Sequence, residues 1–257
     1  MDQKNYFIFN YGELKLWITV LSQLFLSHIM LGQTNFLEKQ LTYQRVQLAF
    51  TEKEDHLKKD FEAQCLTWPP EAIYIRSFKS ELELELWVYE KDKYFLFRQY
   101  AVCAGSGRLG PKNKQGDRQV PEGFYFIDRF NPLSNFWLSL GINYPNEADA
   151  MRSDANNLGG DIFIHGACST VGCLPMNDEN IKEIYLLCVL AKNKGQKKIP
   201  VHILPYRFTN LNNAIFSVTN PYKELWSILE KSYNYFNKYK LPQNFYISQS
   251  GTYILMD

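Results

Sequence analysis

Two residue types that perform acyl chemistry stand eight positions apart, His165 and Cys173, within Ile164–Met176, which reads I-H-G-A-C-S-T-V-G-C-L-P-M. His165 closes the apolar run Ile162-Phe163-Ile164, which has the character of a strand, and Cys173 follows Gly172 in a loop of mostly small residues. A thiol attacks a carbonyl as the thiolate, and an adjacent imidazole that can take its proton is the usual activating group. Glycine beside the nucleophile admits a substrate close to the backbone and lets loop N–H groups turn toward a developing oxyanion. The pattern is that of a candidate acyl-transfer site. Its bland alternative, a small buried cysteine, fits poorly with a loop position next to glycine. Cys168 is expected either to pack under the loop or to form a disulfide with Cys173. A zinc set of His165, Cys168 and Cys173 lacks a fourth ligand at familiar spacing. No metal is therefore expected, and no residue pattern asks for a cofactor.

The elements that must hold this pair are mainly β. The stretch Glu81–Glu90, E-L-E-L-E-L-W-V-Y-E, alternates strictly, with Leu82, Leu84, Leu86 and Val88 on one face. Its glutamates are expected to form a solvated face rather than a pair of catalytic carboxylates. Strand character begins at Ala72, and Tyr94–Val102, Phe124–Arg129 and Val201–Leu204 read as further strands. Gly105 to Gly123 forms a loop rich in Gly, Lys and Asp. Between Asn35 and Leu66, apolar residues recur at spacings near three and four up to Pro69-Pro70, which predicts one or two amphipathic helices. Asn177 or Asp178 is expected to cap a helix through Ala191, and Asn220-Pro221 another carrying Leu225, Trp226, Leu229, Tyr233 and Phe236. Tyr246–Met256 reads as a terminal strand or hairpin.

The Cys-containing segment resembles the active-site signature of the YkuD-type L,D-transpeptidases, in which a His precedes Ser/Thr-His-Gly-Cys-aliphatic-Arg. Here the tail is Thr170-Val171-Gly172-Cys173-Leu174-Pro175, with valine and proline where most members have histidine and arginine. These departures, and the short spacing from His165, are shared with the YafK-like branch. The resemblance extends through Gly110 to Tyr125 (G-P-K-x-K-x-G-D-x-x-V-P-E-G-x-Y) and Ser139–Asn146 (S-L-G-I-N-Y-P-N). It implies a β-sandwich-like catalytic domain flanked by helical segments. It also implies Cys173 as nucleophile, His165 as base, and the Gly166 carbonyl orienting the imidazole, with Gly172 and the Cys173 N–H at an oxyanion hole. Lys112, Asn143, Tyr144, Asn146 and Thr170 are the substrate-binding candidates it suggests. The substrates it implies are peptidoglycan stem peptides, attacked at the L-centre of a diaminoacyl residue. Transfer to an amine and hydrolysis share all these residues; the resemblance implies transfer, which is the expected class, while the short loop and Pro175 point to a specialised amidase or hydrolase as the alternative. A non-catalytic cell-wall binding module would not require the His/Cys pair.

Bulk properties bound the rest. The chain has 257 residues with 46% hydrophobic residues, ample for a core, and 28 basic against 27 acidic residues argue against a nucleic-acid partner. Leu14 to Gly32 reads as a signal-peptide core cleaved after Gly32, or as an uncleaved membrane anchor, so the protein is expected to be exported to the periplasm or cell envelope. An odd number of cysteines, five, flags a free thiol in such a compartment. The expected organisation is a targeting segment over residues 1–34, a helical prefix over 35–70, a catalytic domain over 71–206 and a helical extension over 207–257. The oligomeric state has no signature in the sequence.

Overall fold

A computed structural model describes residues 35–153, 157–216 and 221–256. The targeting segment expected over residues 1–34 therefore lies outside the described residues. The chain enters through two helices, α1 (Phe36–Leu41) and α2 (Gln44–Ala63). Ten strands follow, with further helices between them: β1 (Ile73–Phe78), β2 (Glu83–Glu90), β3 (Lys93–Ala101), β4 (Gly123–Asn131) and β5 (Ser139–Ile142); α3 (Glu147–Arg152); β6 (Phe163–His165) and β7 (Leu174–Pro175); α4 (Asn177–Asn193); β8 (Pro200–Leu204); α5 (Asn210–Phe216) and α6 (Lys223–Tyr239); and the hairpin β9 (Phe245–Ile247) with β10 (Tyr253–Leu255). The mainly β core with flanking helices expected from the alternation of apolar residues is present. Eight strands form one hydrogen-bonded sheet in the order β3-β2-β1-β8-β4-β5-β6-β7. Most pairs are antiparallel; β1 with β8 and β6 with β7 are parallel.

Helices bury opposite faces of this sheet. Helix α4 is buried continuously from Ile181 to Ala191, as befits a helix enclosed on all sides. It shares a core with Val46, Ala49, Leu57 and Phe61 of α2 and with Leu84, Leu86 and Val88 of β2. Lys182 within it is tied to Glu52 and Glu179, and Glu183 to Arg98. The other face of β1 and β2 is covered by α6, whose Phe236 ring meets Trp87 at 4.8 Å edge-on.

This second cover corrects the reading of the glutamate face. Glu85 is 2% exposed rather than solvated. It accepts from Arg76 Nε at 2.9 Å, Trp87 Nε1 at 2.8 Å and Arg207 Nη1 at 2.7 Å. Burial alone would raise its pKa, but Arg76, Arg207 and Trp87 together hold it below the usual carboxylate range. Leu82 is also misplaced by the alternation, because it precedes β2 with φ +53° and is exposed. The helix caps differ as well. Tyr222 is the N-cap of α6 and makes no side-chain cap bond, while Asn220 lies outside the described residues. Asn177 does accept from Asn180 N–H at 2.9 Å, whereas Asp178 turns back to accept from the Ala167 N–H at 2.8 Å.

Candidate active site

His165 and Cys173 are positioned by the short parallel pair β6/β7. Its register sets Ile164 against Leu174 and His165 against Pro175, so Cys173, one residue before β7, lies beside Phe163. Side chains alternate along a strand. Residues 163, 165 and 173 therefore share one face of the sheet, while Ile164 and Leu174 join the core on the other. Consistent with that placement, the Phe163 N–H points at Cys173 Sγ, 3.4 Å away.

The imidazole is fixed on both sides. His165 Nδ1 lies 2.5 Å from the Gly166 carbonyl oxygen. A carbonyl can only accept, so Nδ1 carries the proton and Nε2 keeps its lone pair. The ring packs on Phe136 at 4.7 Å. Gly166 is required by close approach: a Cβ there would stand 2.6 Å from the Phe136 carbonyl oxygen and 2.7 Å from Asp178 Oδ1. Burial lowers the His165 pKa, against the Gly166 carbonyl, which favours the charged ring. Burial likewise pushes the Cys173 thiol up, against the Phe163 N–H and the Lys112 charge, which favour the thiolate. Burial thus disfavours the charged form of each group; the nearby Asp161 charge adds to this at Cys173, whose thiol lies 3.6 Å from the Asp161 carbonyl oxygen.

Both N–H groups expected at the oxyanion hole are engaged. The Cys173 N–H donates to Thr170 Oγ1 at 2.9 Å, and the Thr170 hydroxyl donates to the Cys173 carbonyl at 2.9 Å. The Gly172 N–H donates to Ser106 Oγ at 2.7 Å. Gly172 sits at φ +96°, a left-handed conformation that favours glycine. Thr170 thus clasps the Cys173 backbone. Ser106 has no motif that the sequence reading could have seized on; a loop distant in sequence brings it to the Cys loop.

Cysteine pairing differs from both expectations for Cys168. It forms a disulfide with Cys103, across a sequence separation of 65 residues, and leaves Cys173 free. A second bond joins the same segments, from the Cys103 N–H to the Pro175 carbonyl at 2.9 Å. With Cys168 oxidised, the zinc set considered from the sequence loses a ligand, and the described residues hold no cluster of three or more His, Cys, Asp or Glu fit for a metal.

The substrate-binding candidates divide. Lys112 is buried, with Nζ 2.5 Å from Asp117 Oδ1 and 2.9 Å from the Lys114 carbonyl, so its ammonium is occupied within its own loop. Asn143 Oδ1 accepts from the Phe126 N–H at 2.7 Å. The Tyr144 hydroxyl donates to the Leu158 carbonyl at 3.2 Å. Asn146 caps α3 through a reciprocal capping box with Asp149 and donates to Tyr253 Oη at 2.8 Å. These three line a cleft of about 880 Å³ together with Phe126, Phe245 and Tyr246. Cys173 instead opens into a separate cavity of about 430 Å³, walled by residues 77–80, 102, 104–109 and 174 among others.

The L,D-transpeptidase catalytic domain model named YkuD matches residues 79–203. The YafK protein of Escherichia coli K12, provisionally assigned as an L,D-transpeptidase, is 34% identical over 188 residues, covering 72% of this chain and 74% of YafK. The chain belongs to the YkuD L,D-transpeptidase family. The same identity and coverage hold for YafK of E. coli O157:H7. Among solved structures, the helical cell shape determining protein Pgp2 of Campylobacter jejuni is 19% identical, with 69% of this chain and 73% of that one covered and a TM-score of 0.42. Bd1075 of Bdellovibrio bacteriovorus is 18% identical, with 67% and 63% covered and a TM-score of 0.39.

Proposed function

We propose that this family member is a cysteine acyltransferase acting on peptidoglycan stem peptides through Cys173, with His165 as base. The observation that carries this reading is the β6/β7 register, which sets Cys173 and His165 on one face, with the Nδ1 proton directed at the Gly166 carbonyl. In the acylation step the Sγ proton passes to His165 Nε2 as sulfur bonds the carbonyl carbon. The tetrahedral adduct then collapses, the C–N bond breaks, and the imidazolium returns its proton to the leaving amine. Water or an amine attacks the thioester and restores the thiol. The Gly172 and Cys173 N–H groups serve the oxyanion by exchanging Ser106 and Thr170 for substrate oxygen.

Hydrolysis is favoured over transfer by Pro175. An arginine at that position would offer a bidentate site for an incoming acceptor's carboxylate, and proline has neither charge nor donor. The Cys103–Cys168 disulfide supports an oxidising compartment, hence the cell envelope. Among described residues no helix is long and apolar enough to cross a membrane.

The test is incubation with muropeptides, with and without added D-amino acid, and mass analysis of the products. Expected is loss of a residue at the diaminopimelate L,D-amide, abolished in Cys173→Ala and in His165→Gln while both variants stay folded. Cleavage that persists in Cys173→Ala would remove the assignment. Abundant exchange or crosslinked product with little hydrolysis would establish transfer instead.

A further inference from the structure

We infer that the cleft of about 880 Å³ lined by β4, β8 and β9 binds the glycan chain of peptidoglycan, an N-acetylated sugar polymer, apart from the cavity that holds Cys173; this rests on the peptidoglycan reading above. The cleft has the size of a small-molecule site. One wall carries Phe126 of β4 and Asn143, just after β5, and the other is the segment 242–247, which includes β9. That second wall lies beyond residue 203, where the match to the catalytic-domain model ends. The cleft is therefore not formed by the matched domain alone.

Three features of the lining suit a neutral sugar. Phe245 turns its ring onto Phe124 at 4.9 Å and Tyr253 at 5.4 Å. Alternation along β9 then sends Tyr246 the other way. Tyr246 is 55% exposed and makes no hydrogen bond or ring contact with any described residue. Such a ring offers a flat apolar face and a hydroxyl, which match the C–H face and the hydroxyls of a pyranose. Asn143 is anchored on Phe126, its Oδ1 accepting from the Phe126 N–H at 2.7 Å and its own N–H donating to the Phe126 carbonyl at 3.1 Å. Both Nδ2 hydrogens are left without a partner among the described residues, a fixed amide donor for an acetamido or hydroxyl oxygen. In the opposite wall, Gln243 Nε2 donates to the Met256 carbonyl at 3.0 Å, and its Oε1 is buried with no partner, an acceptor that asks for a donor. The charges balance and do not favour a polyanion: Asp128 is held by Arg129 at 3.1 Å, while Glu147 and Lys198 are exposed and of opposite sign. A peptide strand is the poorer fit, because β9 offers an edge of only three residues preceded by Pro242.

The test is an NMR titration of the full chain with two peptide-free probes, tetra-N-acetylchitotetraose and glycan chains stripped of their stem peptides by an amidase. Both should bind saturably, and cellotetraose, which lacks the acetamido groups, about fivefold more weakly. Tyr246→Ala should weaken binding about tenfold, and Tyr246→Phe should retain most of it. Asn143→Asp keeps the acceptor for the Phe126 N–H and removes the free donors, so it should cost about fivefold while the fold is retained. Thermal unfolding confirms that each variant is folded. No saturable binding of either probe, affinity unchanged in both Tyr246→Ala and Asn143→Asp, or displacement of the sugar by a sugar-free stem tetrapeptide would overturn the assignment. Neither probe contains an amide bond for Cys173 to cleave in a stem peptide. Binding without any peptide cleavage by the wild-type protein would therefore remove the acyl-transfer reading and leave the glycan site standing.

Discussion

At the scale of single residues, the proposed dyad of His165 and Cys173 would transfer its proton on demand rather than stand as an ion pair. Burial disfavours the charge on both His165 and Cys173, so the neutral pair is the reactive reservoir. The imidazole must be unprotonated to act as base, and its pKa is displaced downward. The acid limb of kcat/KM should therefore lie below the ordinary imidazole value, and the alkaline limb above the ordinary thiol value, with a flat plateau across neutrality. Labelling of Cys173 by iodoacetamide should accordingly rise with pH through a midpoint above the ordinary thiol range. A midpoint well below neutrality would mean a resting thiolate–imidazolium pair and would refute this account. His165 and Cys173 were readable as candidates because nucleophile, base and glycine fall within nine residues. Ser106, which meets the Gly172 N–H, was not, since a serine in a loop carries no local pattern.

At the scale of elements, strand β2 shows how a pattern can be right and its environment wrong. Alternation assigned Leu84, Leu86 and Val88 to the core, where they are. It says nothing about whether the opposite face meets water or another layer. Helix α6 supplies that layer, and Arg76 with Glu85 becomes a buried pair, 3% and 2% exposed. Removing one partner strands the other's charge, so Glu85→Ala should cost about 3–5 kcal/mol in urea unfolding. The folded-state pKa of Glu85 is depressed. Its contribution is therefore present above the ordinary carboxylate pKa and is lost as pH falls toward the folded value. Glu85→Gln should accordingly flatten the acid limb of the stability profile relative to wild type. A loss under about 1 kcal/mol in Glu85→Ala would place the pair among weak surface bridges. The capping box on α3 similarly explains Asn146, whose side-chain contacts are those of a helix start.

At the scale of the molecule, the Cys103–Cys168 disulfide joins the end of the β2/β3 hairpin to the loop between His165 and Cys173. Closing a separation of 65 residues restricts the unfolded chain by an amount worth about 4 kcal/mol in the loop-entropy treatment. Reduction, or Cys103→Ser with Cys168→Ser, should lower the Tm by several degrees. Calorimetry after verified reduction checks this, and an unchanged Tm would show that the sheet alone fixes the loop.

The sequence by itself determined the β-rich class, the strand cores, the amphipathic helices and the His/Cys pair, because each depends on periodicity or spacing within about twenty residues. Tertiary structure decided which cysteines pair, that Lys112 is satisfied by Asp117, that Glu85 is dry, and that Asn143, Tyr144 and Asn146 line a different cleft from Cys173. The Cys pairing and the Glu85 environment depend on contacts between segments more than fifty residues apart. The burial of Lys112 and the two-cleft division depend on which loop face is covered. Local propensity carries no information about either, whereas close packing and the satisfaction of buried charge fix both.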